Sequence, residues 1–88
     1  MSDELKKLRL SIDEQDRQIV DALCRRMELA EKIGEYKKQN ALPVLVPGRE
    51  EAVLETVRSL AGADYAADIT EIYRLILQLS RGRQEKEP

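Results

Sequence analysis

Arg26 stands in a column of the sequence that is otherwise aliphatic. Leu5, Ile12, Ile19 and Ile33 recur on a seven-residue spacing, and position 26 belongs to the same series. The neighbouring column, Leu8, Ala22, Leu29 and Tyr36, is interrupted by Gln15, and a third line joins Arg9, Asp16 and Lys37 to Leu23 and Ala30. Further along, Arg49 and Glu50 precede the stripe Val53, Leu54 and Val57, and the stripe Ile69, Tyr73, Ile76 and Leu77 runs on into Ser80 and Gln84. Taken singly, most of these have a plain structural explanation. A buried Arg or Gln can set helix register or oligomeric state at a cost in stability. Glu50 suits a helix N-terminus and Lys37 a helix C-terminus. Ser80, Gly82 and Gln84 fit a fraying helix end. Arg49 fits less well, because a cation does not suit a helix N-terminus.

Taken together they say more. Three cations (Arg26, Lys37, Arg49) and two hydrogen-bonding groups (Ser80, Gln84) share the apolar stripes with one carboxylate, Glu50. Uncompensated positive charge inside a bundle is costly, and a bound anion relieves that cost. Arg forks a carboxylate and Lys offers a point charge. The pattern predicts a small polyanionic ligand, a dicarboxylate, inside a helical bundle. No nucleophile or general base accompanies these residues, so any catalysis would work by holding the ligand and by electrostatic stabilisation.

Composition narrows the classes. The chain has 88 residues, no Trp, no Phe and three Tyr, so a single domain with an aliphatic core is expected. A core this small is marginal alone. The formal net charge is −2, without the basic excess of a nucleic-acid binder. With one cysteine and no histidine, disulfide frameworks, zinc sites and histidine-based catalysis are excluded within one chain. Cys24 reads as a small buried core residue. The start "MSDELKKLRL" has no apolar signal region, and no long apolar run exists. The expectation is a cytoplasmic protein without a membrane span.

Three helices must position the polar groups. The first is predicted over about residues 3–40, started by Ser2 or Asp3. "QNALPVLVPG" is a loop across residues 41–47. The second helix covers about 48–61 and ends at Gly62. The third covers about 68–84, with Asp64 or Asp68 as its cap, and a polar tail follows at 85–88. The first helix is too long for the other two to cover. Its apolar stripe predicts a helical homodimer, with burial in an unrelated partner as the alternative.

The chain resembles the all-helical (type II) chorismate mutases over about Leu5 to Gln84. The resemblance is carried by "LRLSIDEQDRQIVDALCRRMELAEKIGEYK", "PVLVPGREEAVLE" and "ITEIYRLILQLSRGRQ". It implies three helices intertwined with a second copy, two active sites built from both chains, and conversion of chorismate to prephenate by a Claisen rearrangement, with no cofactor or metal. Carried onto this sequence, Arg26 and the other chain's Arg9 would hold the substrate carboxylates. Lys37 would contact a carboxylate and the bridging ether oxygen, and Gln84 would donate to that oxygen. Arg49 would support the pocket near Glu50, which would accept from the ring hydroxyl. Leu77 and Ser80 would line the pocket. The catalytic residues would then be Lys37, Gln84, Arg26 and Glu50. Two features depart from the family pattern. Val46 stands where the family often has Asp, and Gly82, a poor helix former, sits in the last turn before Gln84, where fraying is expected.

Two other functions are weighed against this one. An isochorismate pyruvate-lyase is compatible with the same fold and a similar cationic pocket. A partner-dependent regulatory or dimerisation module is the other, since relatives dock on or are fused to shikimate-pathway enzymes; the partner here would be a separate such enzyme.

Overall fold

The computed structural model describes residues 2–86. It is all-helical among those residues, in the order α1 (Asp3–Gln39), α2 (Arg49–Ala61) and α3 (Ala66–Glu85).

α1 begins where Ser2 Oγ accepts from the Leu5 N–H at 3.2 Å, satisfying one of the first-turn donors. Asp3 and Glu4 lie in its first turn, Lys37 and Lys38 in its last, both favourable to the helix dipole. The helix stops in a Schellman arrangement. The Leu42 N–H donates to Lys37 O at 2.7 Å and the Ala41 N–H to Lys38 O at 3.3 Å. That closure needs a left-handed residue, and here it is Ala41, at φ 53°, where glycine is usual.

The Pro47-Gly48 pair then makes the tight turn that such a dipeptide specifies. Gly48 is at φ 83°, ψ −14°, and the Arg49 N–H donates to Val46 O at 3.1 Å. α2 follows at once. Gly62, at φ 81°, caps its other end.

α3 starts at Ala66, earlier than Asp68, and neither Asp64 nor Asp68 caps it. Its N-cap is Tyr65, with no side-chain bond. The turn after Gly62 leads straight into the helix: Gly62 O accepts from the Ala66 N–H at 2.9 Å, and Tyr65 O from the Ile69 N–H at 3.0 Å. Gly62 O thus satisfies the first helical N–H, and the bond to Tyr65 O is the first of the helix itself. At the far end α3 continues through Gly82 to Glu85, so the fraying expected at Gly82 is not seen and Glu85 belongs to the helix. Of the rest of the expected tail, Lys86 caps the helix, its N–H donating to Arg83 O, and Glu87 and Pro88 lie outside the described residues.

α3 packs on both α1 and α2, and those two do not meet each other. The result is a slab of 58 × 30 × 14 Å. Its long axis is set by α1, since 37 residues span about 55 Å at 1.5 Å per residue. Across it α3 lies between the other two. The three helices therefore form a single layer, and a single layer encloses little. The buried apolar residues are Ala30, Leu54, Val57 and Leu77. Thr70 is also buried, and its hydroxyl donates to Ala66 O at 2.7 Å, which satisfies it within its own helix.

α3 does not sit on the seven-residue stripe of α1. Ala30 and Gly34 are buried and Leu23 and Met27 half-buried, while Leu5, Leu8, Ile12, Ile19, Leu29 and Ile33 stay exposed. Cys24 is exposed too. The buried-core role expected for it is not realised within this chain, because the side of α1 that carries it is not the side facing α3.

Candidate active site

A cleft of 410 Å³ opens where the C-terminal half of α1, the start of α2 and the last turns of α3 converge. Small-molecule sites typically span roughly 300–1,000 Å³. Of the eight candidate residues, Arg26, Lys37, Arg49, Glu50, Leu77, Ser80 and Gln84 line this one cleft. Arg9 does not. It lies 17 positions before Arg26 on the same helix, about 25 Å away along the axis. Gln15 also lies on the N-terminal half of α1, exposed and outside the cleft.

Two hydrogen bonds in the cleft are centred on Lys37. Its Nζ donates to Gln84 Oε1 at 2.7 Å and to Val44 O at 2.7 Å. An ammonium has three donors, so one remains to point at a ligand. The bond also orients Gln84. With Oε1 turned to Lys37, the amide NH₂ is the free end. The loop contributes through its backbone, since Val44 supplies a carbonyl and its side chain a cleft wall.

Gly34 makes this approach of α1 and α3 possible. A Cβ built there would lie 2.7 Å from Gln84 Cα and closer still to the Gln84 carbonyl oxygen. Both are backbone atoms, so no side-chain rotation relieves the clash. A second tie, Arg83 Nη1 to Glu31 Oε2 at 2.8 Å, also joins the last turn of α3 to α1. These contacts hold the helix through Gly82.

Arg26 is half-buried, with its Cζ 5.8 Å from the Tyr73 ring centroid. A cation over a ring face is favourable and leaves the guanidinium edges available for a carboxylate. Glu50 meets a cation, but not Arg49, its neighbour in sequence. Arg81 Nε lies 2.8 Å from Glu50 Oε2. The contact is oblique, because Nε is buried and its N–H makes no directed hydrogen bond. Charge is matched while hydrogen-bonding capacity is left over. Arg81 was not among the sequence candidates, and neither was Gly34.

The cleft thus holds Arg26, Lys37, Arg49 and Arg81 against Glu50 alone. Four cations facing one carboxylate in a partly enclosed space favour an anion with more than one negative group. An adjoining groove between α1 and α3 shares Arg26 and Ser80 with the cleft and adds Glu71, but its walls are otherwise apolar (Leu23, Met27, Ile72, Leu75, Ile76 and Leu79) and its one Arg is balanced by one Glu, so it gathers no surplus of cations.

Residues 8–85 match the protein family described as chorismate mutase type II. The chain belongs to the type II chorismate mutase family. A bifunctional chorismate mutase/prephenate dehydratase of Aquifex aeolicus is 35% identical, over 96% of this chain and 25% of its own length. A 4-amino-4-deoxychorismate mutase of Streptomyces venezuelae is 31% identical, over 84% of this chain and 74% of its own. A solved structure described as a conserved hypothetical protein from Pyrococcus furiosus superposes with a TM-score of 0.81 at 38% identity, covering 97% of this chain and all of that one. The chain spans a quarter or less of the length of the Aquifex protein and of the T-proteins that it also matches. No described helix is long and apolar enough to cross a membrane.

Proposed function

We propose that this chain is a chorismate mutase, converting chorismate to prephenate by an intramolecular rearrangement. The observation that carries the reading is the convergence of Lys37, Gln84 and the surplus cations in one cleft of a type II chorismate mutase fold. In the rearrangement the ether C–O bond breaks as a new C–C bond forms, and no atom is gained or lost. Negative charge grows on the ether oxygen in the transition state. The third Lys37 donor and the Gln84 amide would meet that oxygen, and contacts that strengthen as charge develops are the ones that accelerate a step. Their mutual hydrogen bond prearranges them before substrate arrives. Arg26 would fork one carboxylate and hold the side chain over the ring, which removes entropy in advance. Arg49 would add positive charge beside it, Leu77 and Ser80 would line the wall, and Glu50 would accept from the ring hydroxyl. The amino analogue for which the Streptomyces relative is named would put an ammonium where that hydroxyl sits.

The site would be completed by a second copy of the chain. A slab 14 Å thick with Leu8, Ile12 and Ile19 each more than half exposed lacks the second layer that a stable domain needs. Arg9 on the uncovered half of α1 would enter the cleft of the other copy and hold the remaining carboxylate.

The experiment is turnover of chorismate by the purified chain, with prephenate identified as product. Arg26→Ala and Lys37→Ala should each lower kcat/KM by about a hundredfold or more, with helicity unchanged. Unaltered turnover in either variant would refute the site assignment. Release of pyruvate from isochorismate, without conversion of chorismate, would move the assignment to the lyase.

A further inference from the structure

Arg81 sits on the group assigned to the substrate's ring, which gives it a role in substrate choice. Resting on the mutase reading above, we propose that the Arg81–Glu50 pair makes this cleft select a neutral hydroxyl on the substrate ring and reject an ammonium at the same position. Chorismate and its 4-amino-4-deoxy analogue differ there, and both would undergo the same atom-conserving rearrangement, so the ring substituent alone is compared.

Three observations support this. The single carboxylate of the cleft, Glu50, already has a guanidinium 2.8 Å from its Oε2. Because that contact is oblique and not a directed hydrogen bond, the carboxylate keeps lone pairs for a hydroxyl donor. A hydroxyl needs only an acceptor, whereas an ammonium also needs net negative charge. The cleft supplies the acceptor and withholds the charge.

The second observation concerns the surroundings of Glu50. Val53, one helical turn on, and Val46, at the turn that starts α2, line the same cleft. Neither offers an oxygen side chain to a cation. The third is that Arg26, Lys37 and Arg49 share the cleft, so a cationic substituent would meet repulsion from several directions. Rejection by like charge is a common route to specificity.

The test compares kcat/KM for chorismate and for 4-amino-4-deoxychorismate in the natural chain, Arg81→Met and Arg81→Lys. The natural chain should prefer chorismate. Arg81→Met should lower that preference by about tenfold or more, through a gain on the amino substrate, since removing a facing cation favours a second one. Arg81→Lys should keep the preference, because it keeps the charge. A merely structural role for Arg81 predicts losses on both substrates and no gain on either. Val46→Asp tests the idea without touching α3. Position 46 is 45% exposed, so a carboxylate there keeps access to water, and the added unpaired charge should raise turnover of the amino substrate. A natural chain that converts chorismate, together with a preference unchanged within twofold in Arg81→Met and in Val46→Asp, would overturn the proposal while leaving the mutase reading intact. Turnover of neither substrate by the natural chain would instead overturn the mutase reading, and this proposal with it.

Discussion

Gly34→Ala separates two effects that act in opposite directions. Within α1 the substitution is favourable, since Ala is preferred over Gly in a helix interior by about 1 kcal/mol. Between helices it is not. The new Cβ would lie 2.7 Å from Gln84 Cα, whereas an ordinary contact is 3.4–4 Å. The last turn of α3 must therefore retreat by roughly 1 Å, and overpacking of this kind costs about 1–3 kcal/mol. The two terms nearly offset, so net stability should fall by no more than about 2 kcal/mol. Activity has no such compensation. A retreat of that size breaks the 2.7 Å bond from Lys37 Nζ to Gln84 Oε1, and a displacement of about 1 Å at a reacting centre can cost a hundredfold in rate.

Gly82→Ala is the internal control. It lies in α3, and the space that a Cβ would take there has nothing within 4 Å. The substitution should therefore gain about 1 kcal/mol of helix stability and leave the Lys37–Gln84 contact in place. The assay pairs urea unfolding at one fixed protein concentration with chorismate turnover for both variants. The expected result is a large loss of kcat/KM in Gly34→Ala at modest cost in stability, and a stabilised, active Gly82→Ala. If Gly34→Ala is stabilised as much as Gly82→Ala and turns over chorismate within about threefold of the natural chain, the close approach of α1 and α3 does not govern the site.

Two further predictions concern the scaffold. Ala41 closes α1 at φ 53°, a conformation that costs an L-residue roughly 1–2 kcal/mol. Ala41→Gly removes that strain, loses some of the gain to the greater freedom of the unfolded chain, and should raise stability by about 0.5–1 kcal/mol, read as an increased urea midpoint at unchanged slope. Ile12 is 59% exposed, so in an isolated chain Ile12→Asp should matter by less than about 0.5 kcal/mol. In the proposed homodimer it buries a charge, and analytical ultracentrifugation should find monomer at concentrations where the natural chain is dimeric. An unchanged dimer would exclude that stripe as the interface.

The three helices and the surplus of positive charge were legible in the sequence because both depend on local information. Apolar spacing marks a helix wherever it lies, the Pro47-Gly48 pair dictates its own turn, and Arg26, Lys37, Ser80 and Gln84 stand out because they interrupt apolar lines. Arg81 interrupts nothing. It follows Ser80 on a helix end where a charged side chain is ordinary, and only the packing of α3 on α2 brings it to Glu50. Gly34 reads locally as a weak point in a long helix. Its value lies in a contact with Gln84, 50 positions away, which no helical periodicity encodes. The same is true of the start of α3, which follows from the turn after Gly62 and not from a capping aspartate. Side-chain type and spacing decided that this chain would gather cations on the apolar stripes of its helices. The distance between helix axes, set by Gly34 and by the packing of α3 on its two neighbours, decided which of those cations meets Glu50 and which amide meets Lys37.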